Sequence, residues 1–363
     1  MSYTTRQIRP GDAGKMQQYA RRNFSVVEQV FISKPKLGLV AQNESGDIAG
    51  GAFLLTVNGK QGKVGCIDII FVESAHRGSE LAKRLYHESI DMLKALGCQT
   101  IMALVRGDNS QSLRRFEAEG LHPVTLHQLR EKVGLGVLTQ LFIKTASLAF
   151  ATGCWILCDS AQGGGVGTTC CNMARTLLVN GFLLLLGVLL HVSALSWWNA
   201  LACMLLLLII LLGETLGRNA TAGEWEFVMP EGGFIPSAIV AMLGGFYPML
   251  GHWYIVQREN TGDYRKKTAA PAVVAWVLLL FVTVICGAFS HVHPLLGCIK
   301  EDGVMLLLFY ALPFYPFDTF GGKRIRDHSR TQFAVLVTVS LFVIALFTIS
   351  IPDFSAMLAG LVA

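Results

Sequence analysis

Residues 67–82 read IDIIFVESAHRGSELA, an apolar run followed by a polar segment. The apolar part, residues 67–72, is rich in β-branched and aromatic side chains and predicts a buried strand. Gly78 follows, and residues 79–96 carry apolar side chains at helical spacing. The sequence here therefore predicts a central strand, a polar loop and a helix, in that order.

The residues on either side of this stretch alternate between strand and helix signals. They predict a second short helix at residues 110–119, ended by Gly120. They also predict strands at residues 37–42, 48–57, 65–72 and 100–105. We interpret residues 1–133 as one α+β domain with the composition of a soluble protein.

From about residue 134 the chain changes to long apolar blocks with short polar loops. The whole chain is 52% hydrophobic and 15% charged, with a mean hydropathy of +0.49, whereas soluble domains carry about 25% charged residues. Because a helix needs about 20 apolar residues to cross a bilayer, we predict an all-α polytopic membrane domain at 134–363 with about seven spans. The candidate spans are residues 135–157, 174–194, 197–215, 233–256, 271–291, 303–320 and 333–351.

Loop charges predict the orientation of these spans. Residues 257–270 and 321–332 are rich in Lys and Arg, whereas 158–173 has neither and 216–232 is mostly acidic. Basic loops stay in the cytosol, so we expect an integral protein of the cell membrane with a cytosolic N-terminal domain and its C-terminus outside. The start of the chain lacks an apolar signal segment, which agrees with a cytosolic first domain. The net charge of +5 forms no basic stripe and predicts no nucleic-acid partner.

Two motifs in the first domain resemble those of a known family. Residues 67–82 resemble the central strand and acyl-CoA loop of the GNAT superfamily of N-acetyltransferases. Residues 108–121, DNSQSLRRFEAEGL, resemble the family's next motif. The likeness covers about residues 1–130 and implies a GNAT-like mixed sheet with helices on both faces and acetyl-CoA or another acyl-CoA as cofactor. The cofactor-binding residues that it implies are Ile70, Phe71, Val72, Arg77, Gly78, Ser79, Ala82, Asn109 and Phe116.

This sequence departs from the family's pattern at two positions. Glu80 stands where the family has a glycine, and Phe116 where many members have a tyrosine that protonates the leaving thiolate. An acid in a helix's first turn favours the helix dipole, and Arg84 stands four residues further on. Alternatively, Glu80 itself occupies the anion site and leaves the domain without cofactor.

Acyl transfer to an amine needs a base that removes a proton from the ammonium group. Asp68 and Glu73 flank the strand expected to line the site, and His76 is a third candidate. Each of the three can equally be a solvated residue at a strand end. The strand's backbone is expected to polarise the thioester carbonyl, which needs no particular side chain.

The apolar half has a fainter resemblance, to site-2-type intramembrane metalloproteases. Residues 251–258 and 313–325 resemble the segments around that family's zinc ligands, and His252 and Asp318 fall on two ligand positions. Pro248 and Met249 occupy the positions of the first His and the Glu of the zinc motif, so the motif is degenerate. The resemblance implies zinc at His252 and Asp318 as one hypothesis, and interfacial placement of both residues as the other.

Two functions follow from the sequence. The first is a membrane-tethered acyltransferase that moves an acetyl or other acyl group from acyl-CoA to an amine on a membrane-associated lipid or protein. The alternative is a non-catalytic acyl-CoA sensor or scaffold with a degenerate protease-like membrane domain. Acyl-CoA, the lipid bilayer and the amine acceptor are the expected partners.

Overall fold

The computed structural model divides into two compact units, one up to residue 168 and one from Thr169 onward. The predicted boundary at residues 133 and 134 therefore falls inside the first unit. The residues that the structure describes are 2–24, 29, 32–59, 62–106, 109–145, 154–159, 169–190, 196–229, 234–243, 246–256, 262–314 and 317–348.

The first unit is built on a mixed sheet of seven strands in the order β1-β2-β3-β4-β5-β7-β6. All neighbouring strands are antiparallel except β4 and β5, which are parallel. The strands are β1 (Thr4–Gln7), β2 (Leu37–Gln42), β3 (Ile48–Gly59), β4 (Gly62–Val72), β5 (Cys98–Arg106), β6 (His122–Val124) and β7 (Cys154–Cys158). The four predicted strands match β2 to β5, whereas β1, β6 and β7 were not predicted.

Helices cover both faces of this sheet, as predicted. Successive side chains of a strand point to opposite faces, and a side-chain carbon at Gly50 would meet Leu85 whereas one at Gly51 would meet Met16. Leu85 and Met16 belong to different helices, which therefore lie on opposite faces. The helices of this unit are α1 (Ala13–Arg22), α2 (Leu81–Ala95), α3 (Ser110–Ala118), α4 (Leu126–Val133) and α5 (Leu135–Lys144).

Residues 135–157 are not a membrane span where the structure describes them. Residues 135–144 form α5, whose Val137 and Leu141 are buried with residues of the sheet. Residues 154–158 form β7, which pairs with β5 and β6 on its two sides. An apolar strand with neighbours on both sides has the same composition as part of a membrane segment, which explains the error.

The second unit is mainly helical. It contains α6 (Thr169–Leu189), α7 (Trp197–Asn219), α8 (Phe234–Met242), α9 (Gly262–Ala288), α10 (Pro294–Ala311), α11 (Gly322–His328) and α12 (Arg330–Thr348). A two-stranded antiparallel ribbon is formed by β8 (Trp225–Val228) and β9 (His252–Ile255). Among the described residues, α6, α7, α9 and α12 are long and apolar enough to cross a membrane.

The predicted number of spans, about seven, is therefore not supported. Besides 135–157, the predicted span 233–256 consists of the nine-residue helix α8 and strand β9 where it is described. The predicted span 303–320 falls on the second half of α10, residues 312–314 and a short 3-10 helix, Phe317–Phe320. Helix α10 contains Lys300, Glu301 and Asp302 within its 18 residues, whereas each of the four long apolar helices includes an 18-residue stretch with at most two charged side chains.

Close helix contacts depend on small residues in α7. A side-chain carbon at Gly213 would lie 2.4 Å from Cα of Ala275, and one at Gly217 would lie 2.5 Å from Cα of Pro271. The two contacts advance along α7 as they recede along α9, so the helices are antiparallel. The backbones can approach this closely only because neither glycine has a side chain.

Candidate functional site

The centre of the first unit is an opening between two neighbouring strands. β4 and β5 pair in parallel from Lys63 and Cys98 as far as Ile67 and Ala103. Beyond that point β4 continues to Val72 beside β3, while β5 continues beside β7. The last five residues of β4 therefore have backbone groups on the β5 side that no strand partner uses. These groups can hydrogen-bond an extended ligand that enters between the strands.

Asp68 lies at the start of this opening, on a bulge. Phe53 of β3 pairs with Ile69 and Leu54 pairs with Ile67, so Asp68 has no opposite residue on β3. Bulges re-aim a side chain relative to the regular strand. The Asp68 side chain is half-buried, and burial raises the pKa of its carboxyl group to about 6. A carboxylate with this pKa is a competent general base near neutral pH.

The loop after β4 is held by hydrogen bonds to other parts of the chain. Asn23 donates from Nδ2 to Oε1 of Glu73 at 2.9 Å, and its Oδ1 accepts from Nη2 of Arg77 at 2.8 Å. His76 Nδ1 lies 3.2 Å from the hydroxyl of Tyr3. Glu73 and His76 are therefore engaged in positioning this loop, and Asp68 is the candidate base that the geometry favours.

The loop then leads into the N-terminus of α2. Gly78 has φ of +84° and open space where a side chain would stand, a conformation that only glycine adopts without strain. The Ser79 hydroxyl donates to the carbonyl of His76 at 2.6 Å. Glu80 is the N-cap residue and makes no side-chain capping bond. The Leu81 N–H donates to Oγ of Ser79 at 3.4 Å, so the later N–H groups of the first turn of α2 are left for an anion.

The Glu80 side chain points away from that anion position. It is 90% exposed and lies 3.9 Å from Nζ of Lys83. The pairing with Arg84 that the sequence suggested is absent, because Arg84 contacts Glu88 at 2.5 Å. The structure thus gives no support to Glu80 as a built-in occupant of the anion site.

The remaining predicted cofactor residues divide between core and surface. Phe71 is buried against Phe53, with ring centroids 6.0 Å apart, so only its backbone can contact a ligand. Ile70, Val72 and Ala82 are half-buried. They stand on the open part of β4 and in the first turn of α2, where the resemblance placed them.

The second motif includes the whole of α3. Asn109 caps the helix by accepting from the backbone N–H of Ser112 at 3.2 Å. Phe116 is buried and packs edge-on against Tyr86 of α2, with ring centroids 4.6 Å apart. The Tyr86 hydroxyl donates to that of Ser112 at 2.6 Å. A pair of hydroxyls thus lies one turn from the position where the family's tyrosine is missing.

In the second unit, His252 lies in a buried charged cluster. Arg324 of α11 donates from Nη2 to Oε1 of Glu214 at 2.5 Å and from Nη1 to Oε2 at 3.3 Å. His252 Nδ1 lies 3.0 Å from the same Nη2. Glu214 is fully buried and His252 is 4% exposed. We name the side chains of Glu214, His252 and Arg324 the buried triad.

This arrangement gives the zinc hypothesis no support. A guanidinium faces His252 Nδ1, and a cation at that nitrogen disfavours a metal ion there. Among the residues that the structure describes, no group of three His, Cys, Asp or Glu side chains is arranged to hold a metal. The Asp318 side chain lies outside the described residues, so its predicted role as a ligand has no geometric test.

Sequence reasoning missed Asn23, Tyr3 and Tyr86, which no local pattern connects to the site. It also missed Glu214 and Arg324, for which a signal existed. Glu214 is an acid within a helix that is otherwise almost wholly apolar up to that point, and ionisable residues in such helices usually face a partner. Its partner, Arg324, belongs to the basic segment 321–332, whose charges were interpreted only as a sign of orientation.

Comparison with known proteins gives one family for part of the chain. Residues 8–120 match the acetyltransferase (GNAT) family, which confirms the resemblance for the first domain. A comparison with curated proteins finds no match to this chain.

Several solved structures are similar to the same part of the chain. The GNAT family N-acetyltransferase YhbS from Escherichia coli, in complex with CoA, is 23% identical over 33% of this chain and 68% of that chain, with a TM-score of 0.29. An acetyltransferase from Trypanosoma brucei is 20% identical over 34% of this chain and 95% of that chain, with a TM-score of 0.28. These values are too low to carry a conclusion, so the assignment rests on the family match.

Proposed function

We propose that this chain is a membrane-embedded N-acyltransferase, which transfers an acyl group from acyl-CoA to an amine on a membrane-associated lipid or protein. The observation that carries the proposal is the opening between β4 and β5, with Asp68 at its start, inside the segment that matches the GNAT family. The four long apolar helices of the second unit support the membrane part of the proposal.

The first unit offers separate positions for the two ends of acyl-CoA. The backbone groups of β4 beyond Ile67 that lack a strand partner suit the amide-rich pantetheine arm, apart from the Val72 carbonyl, which accepts from Nε of Arg77 at 3.3 Å. The first turn of α2, opened by Gly78, suits the pyrophosphate, because its N–H groups and the helix dipole favour negative charge. The exposed Arg77 stands next to this turn and adds positive charge.

The reaction is a direct transfer. Asp68 takes a proton from the ammonium group of the acceptor, and the free amine attacks the thioester carbonyl. A C–N bond forms, the C–S bond breaks, and the CoA thiolate leaves with a proton, while the second proton lost by the acylated nitrogen restores the group that protonated the thiolate. Phe116 cannot supply that proton, so we assign it to the hydroxyl pair of Tyr86 and Ser112, which is in contact with Phe116. Backbone N–H groups of β4 stabilise the oxyanion of the intermediate.

The membrane half of the proposal includes a fifth crossing by α10. Its start is at His293, whose ring lies 4.9 Å from that of Trp198 at the start of α7. Asp302 contacts Cys203 further along both helices. α10 therefore runs beside α7 in the same direction, and its 18 residues span about 27 Å, close to the thickness of a bilayer core.

The alternative function, a non-catalytic acyl-CoA sensor, is favoured by Phe116 alone, since the exposed Glu80 leaves the anion position open. Binding and turnover separate the two functions. A sensor binds acyl-CoA without transferring the acyl group, whereas an enzyme does both.

The experiment is a calorimetric titration of acetyl-CoA into the full chain in detergent micelles. We expect micromolar binding, and its loss in Gly78→Val, because valine both strains this backbone and blocks the loop. Gly46→Val is the matched control. Gly46 also has a positive φ, of +82°, and open space around it, but it lies in the turn between β2 and β3.

Retained binding in Gly78→Val, or no binding by the native chain, contradicts the proposed cofactor site. Mass spectrometry of the same samples, mixed with acetyl-CoA and either phosphatidylethanolamine or a peptide with a free N-terminus, then tests for transfer. Binding with no acetylated product from any amine tested leaves the sensor as the better function.

A further inference from the structure

The buried triad is joined by a fourth polar side chain, that of Tyr310. Tyr310 is fully buried in α10. A side-chain carbon at Gly321 would lie 3.2 Å from both Nη2 of Arg324 and Cε1 of Tyr310, so the two side chains flank Gly321. Side chains from α7, β9, α10 and α11 therefore converge on one place. The four residues are far apart in the sequence, so only the fold brings them together.

The triad is balanced in charge. Arg324 can only donate hydrogen bonds, so His252 Nδ1 accepts the bond from Nη2 at 3.0 Å. The distance from Nδ1 to Oε1 of Glu214 is longer, 3.6 Å. The ring is therefore neutral with its proton on Nε2. One carboxylate and one guanidinium then cancel, and the place where the four side chains meet carries no net charge.

The Tyr310 hydroxyl has no hydrogen-bond partner among the residues that the structure describes. A buried hydroxyl without a partner is costly, and buried tyrosines usually have one. Arg324 also retains N–H groups beyond those that its contacts with Glu214 and His252 use. The cluster therefore has more hydrogen-bond donors than acceptors.

Those donors define what can bind. They need an oxygen acceptor, and the charge balance of the triad disfavours an anion or a cation. Gly321 is in the left-handed region, with φ of +86°, and a side-chain carbon there would also lie 2.9 Å from Cβ of Ala272, so only a glycine lets the backbone come this close to Arg324 and Tyr310. The guanidinium side chain, 14% exposed, is the most accessible member of the cluster. A ligand that arrives through a unit of exposed leucines and phenylalanines carries an apolar body.

We propose that Tyr310 and Arg324, held by Glu214 and His252, form a binding site for the carbonyl oxygen of a neutral acyl lipid, either an amide or an ester. The Tyr310 hydroxyl and the spare Arg324 N–H groups donate to that oxygen, and the acyl chain lies among the apolar helices. The site is independent of acyl-CoA, so it stands or falls separately from the proposed transferase activity.

The test uses the purified full chain in detergent micelles and three probes with the same chain length, N-methyldodecanamide, methyl dodecanoate and sodium dodecanoate. Affinity is measured from the saturable rise in the thermal unfolding midpoint. We expect the amide, the ester or both to bind, and the anion not to bind. Whichever neutral probe binds more tightly identifies the source of the carbonyl group.

Tyr310→Phe keeps the ring and removes only the hydroxyl. We expect it to weaken binding about tenfold, the effect of one lost hydrogen bond, and to leave the unliganded protein at least as stable as the native chain. Tyr264→Phe, at a half-buried tyrosine in the first turn of α9, is the matched control and should leave the affinity for the probes unchanged.

Infrared spectra of a probe labelled with ¹³C at its carbonyl give a second readout. Donation from Tyr310 and Arg324 should lower the carbonyl stretching frequency in the native chain, and Tyr310→Phe should partly reverse that shift. Equal affinity in Tyr310→Phe, no saturable effect of either neutral probe, or tighter binding of dodecanoate would each overturn the proposal. No probe binding by the native chain, together with a Tyr310→Phe variant that is more stable than the native chain, would identify the site as a place for a buried water only.

Discussion

Asp68 owes its properties to a single extra residue in β4. Because the bulge lies between the residues that pair with Phe53 and Leu54, Asp68 leaves the regular alternation of the strand. It stands where the sheet opens and where burial raises the pKa of its carboxyl group from 3.8 to about 6. The folded domain therefore binds this proton more tightly than the unfolded chain does.

The raised pKa of Asp68 has opposite effects on stability and on activity. Its contribution to stability is fully present below about pH 4 and is lost as pH rises through about 6. As a base it works only when deprotonated, so we expect kcat/KM for acetyl transfer to rise through about pH 6. Asp68→Asn should remove this step in the pH profile, lower kcat at least a hundredfold and leave acetyl-CoA affinity nearly unchanged.

The same measurements on Glu73→Gln are the control, because Glu73 is tied to Asn23 in the loop. A pH profile that loses its step in Glu73→Gln but keeps it in Asp68→Asn would show that the base is Glu73 and not Asp68.

At the residue scale, the motif identified Asp68, Arg77 and Gly78, since they are close in sequence. Contacts such as Tyr86 with Phe116 join different helices and needed the three-dimensional structure.

At the scale of elements, β7 shows where composition misleads. Residues 154–158 read CWILC, and apolar residues of this kind serve equally in a central strand and in a bilayer. Pairing with β5 on one side and β6 on the other decides between the two. The long strands β2 to β5 and helix α2 were predictable because their apolar period or their flanking turns were distinct.

The close contact between α7 and α9 gives a prediction for the second unit. Gly213→Ala would place a carbon 2.4 Å from Cα of Ala275, a backbone atom that cannot rotate away. We expect a loss of about 1–3 kcal/mol in the free energy of unfolding, the usual cost of overpacking, measured by thermal unfolding in micelles.

The matched control is Gly181→Ala in α6. There the added carbon would lie 3.9 Å from the flexible side chain of Met204, so alanine should be neutral or stabilise the helix by up to about 1 kcal/mol. Equal stability of the two variants would mean that α7 and α9 are not in contact in the membrane-embedded protein.

At the scale of the whole molecule, the helix directions predict a topology. Contacts of Ser340 with Trp276 and of Phe347 with Gly287 show that α12 runs parallel to α9, whereas α7 runs antiparallel to α9. With α6 and the proposed crossing by α10, we expect the chain to cross five times. Most Lys and Arg of the second unit stand where α9 and α12 begin, which predicts that this side is cytosolic.

Five crossings put the end of α12 opposite the side on which α6 begins. We expect a green fluorescent protein fused after Ala363 to be dark and an alkaline phosphatase fused there to be active, since the first needs the cytosol and the second an oxidising compartment. The reverse pattern would indicate four crossings and would place α10 outside the count. Seven predicted spans and five expected crossings put the C-terminus on the same side, because the number of predicted spans that the structure does not support, 135–157 and 233–256, is even.

The strand order of the first unit determines when its sheet can close during synthesis. The strand that fills the gap between β5 and β6 is the last of the seven to be made, 34 residues after Val124 at the end of β6. At about 5–20 residues per second of synthesis, β5 and β6 therefore wait roughly 2–7 s for the strand that pairs with both of them. This final strand is completed shortly before the first long apolar helix begins. The sheet therefore closes at about the time when the chain begins to make its apolar helices.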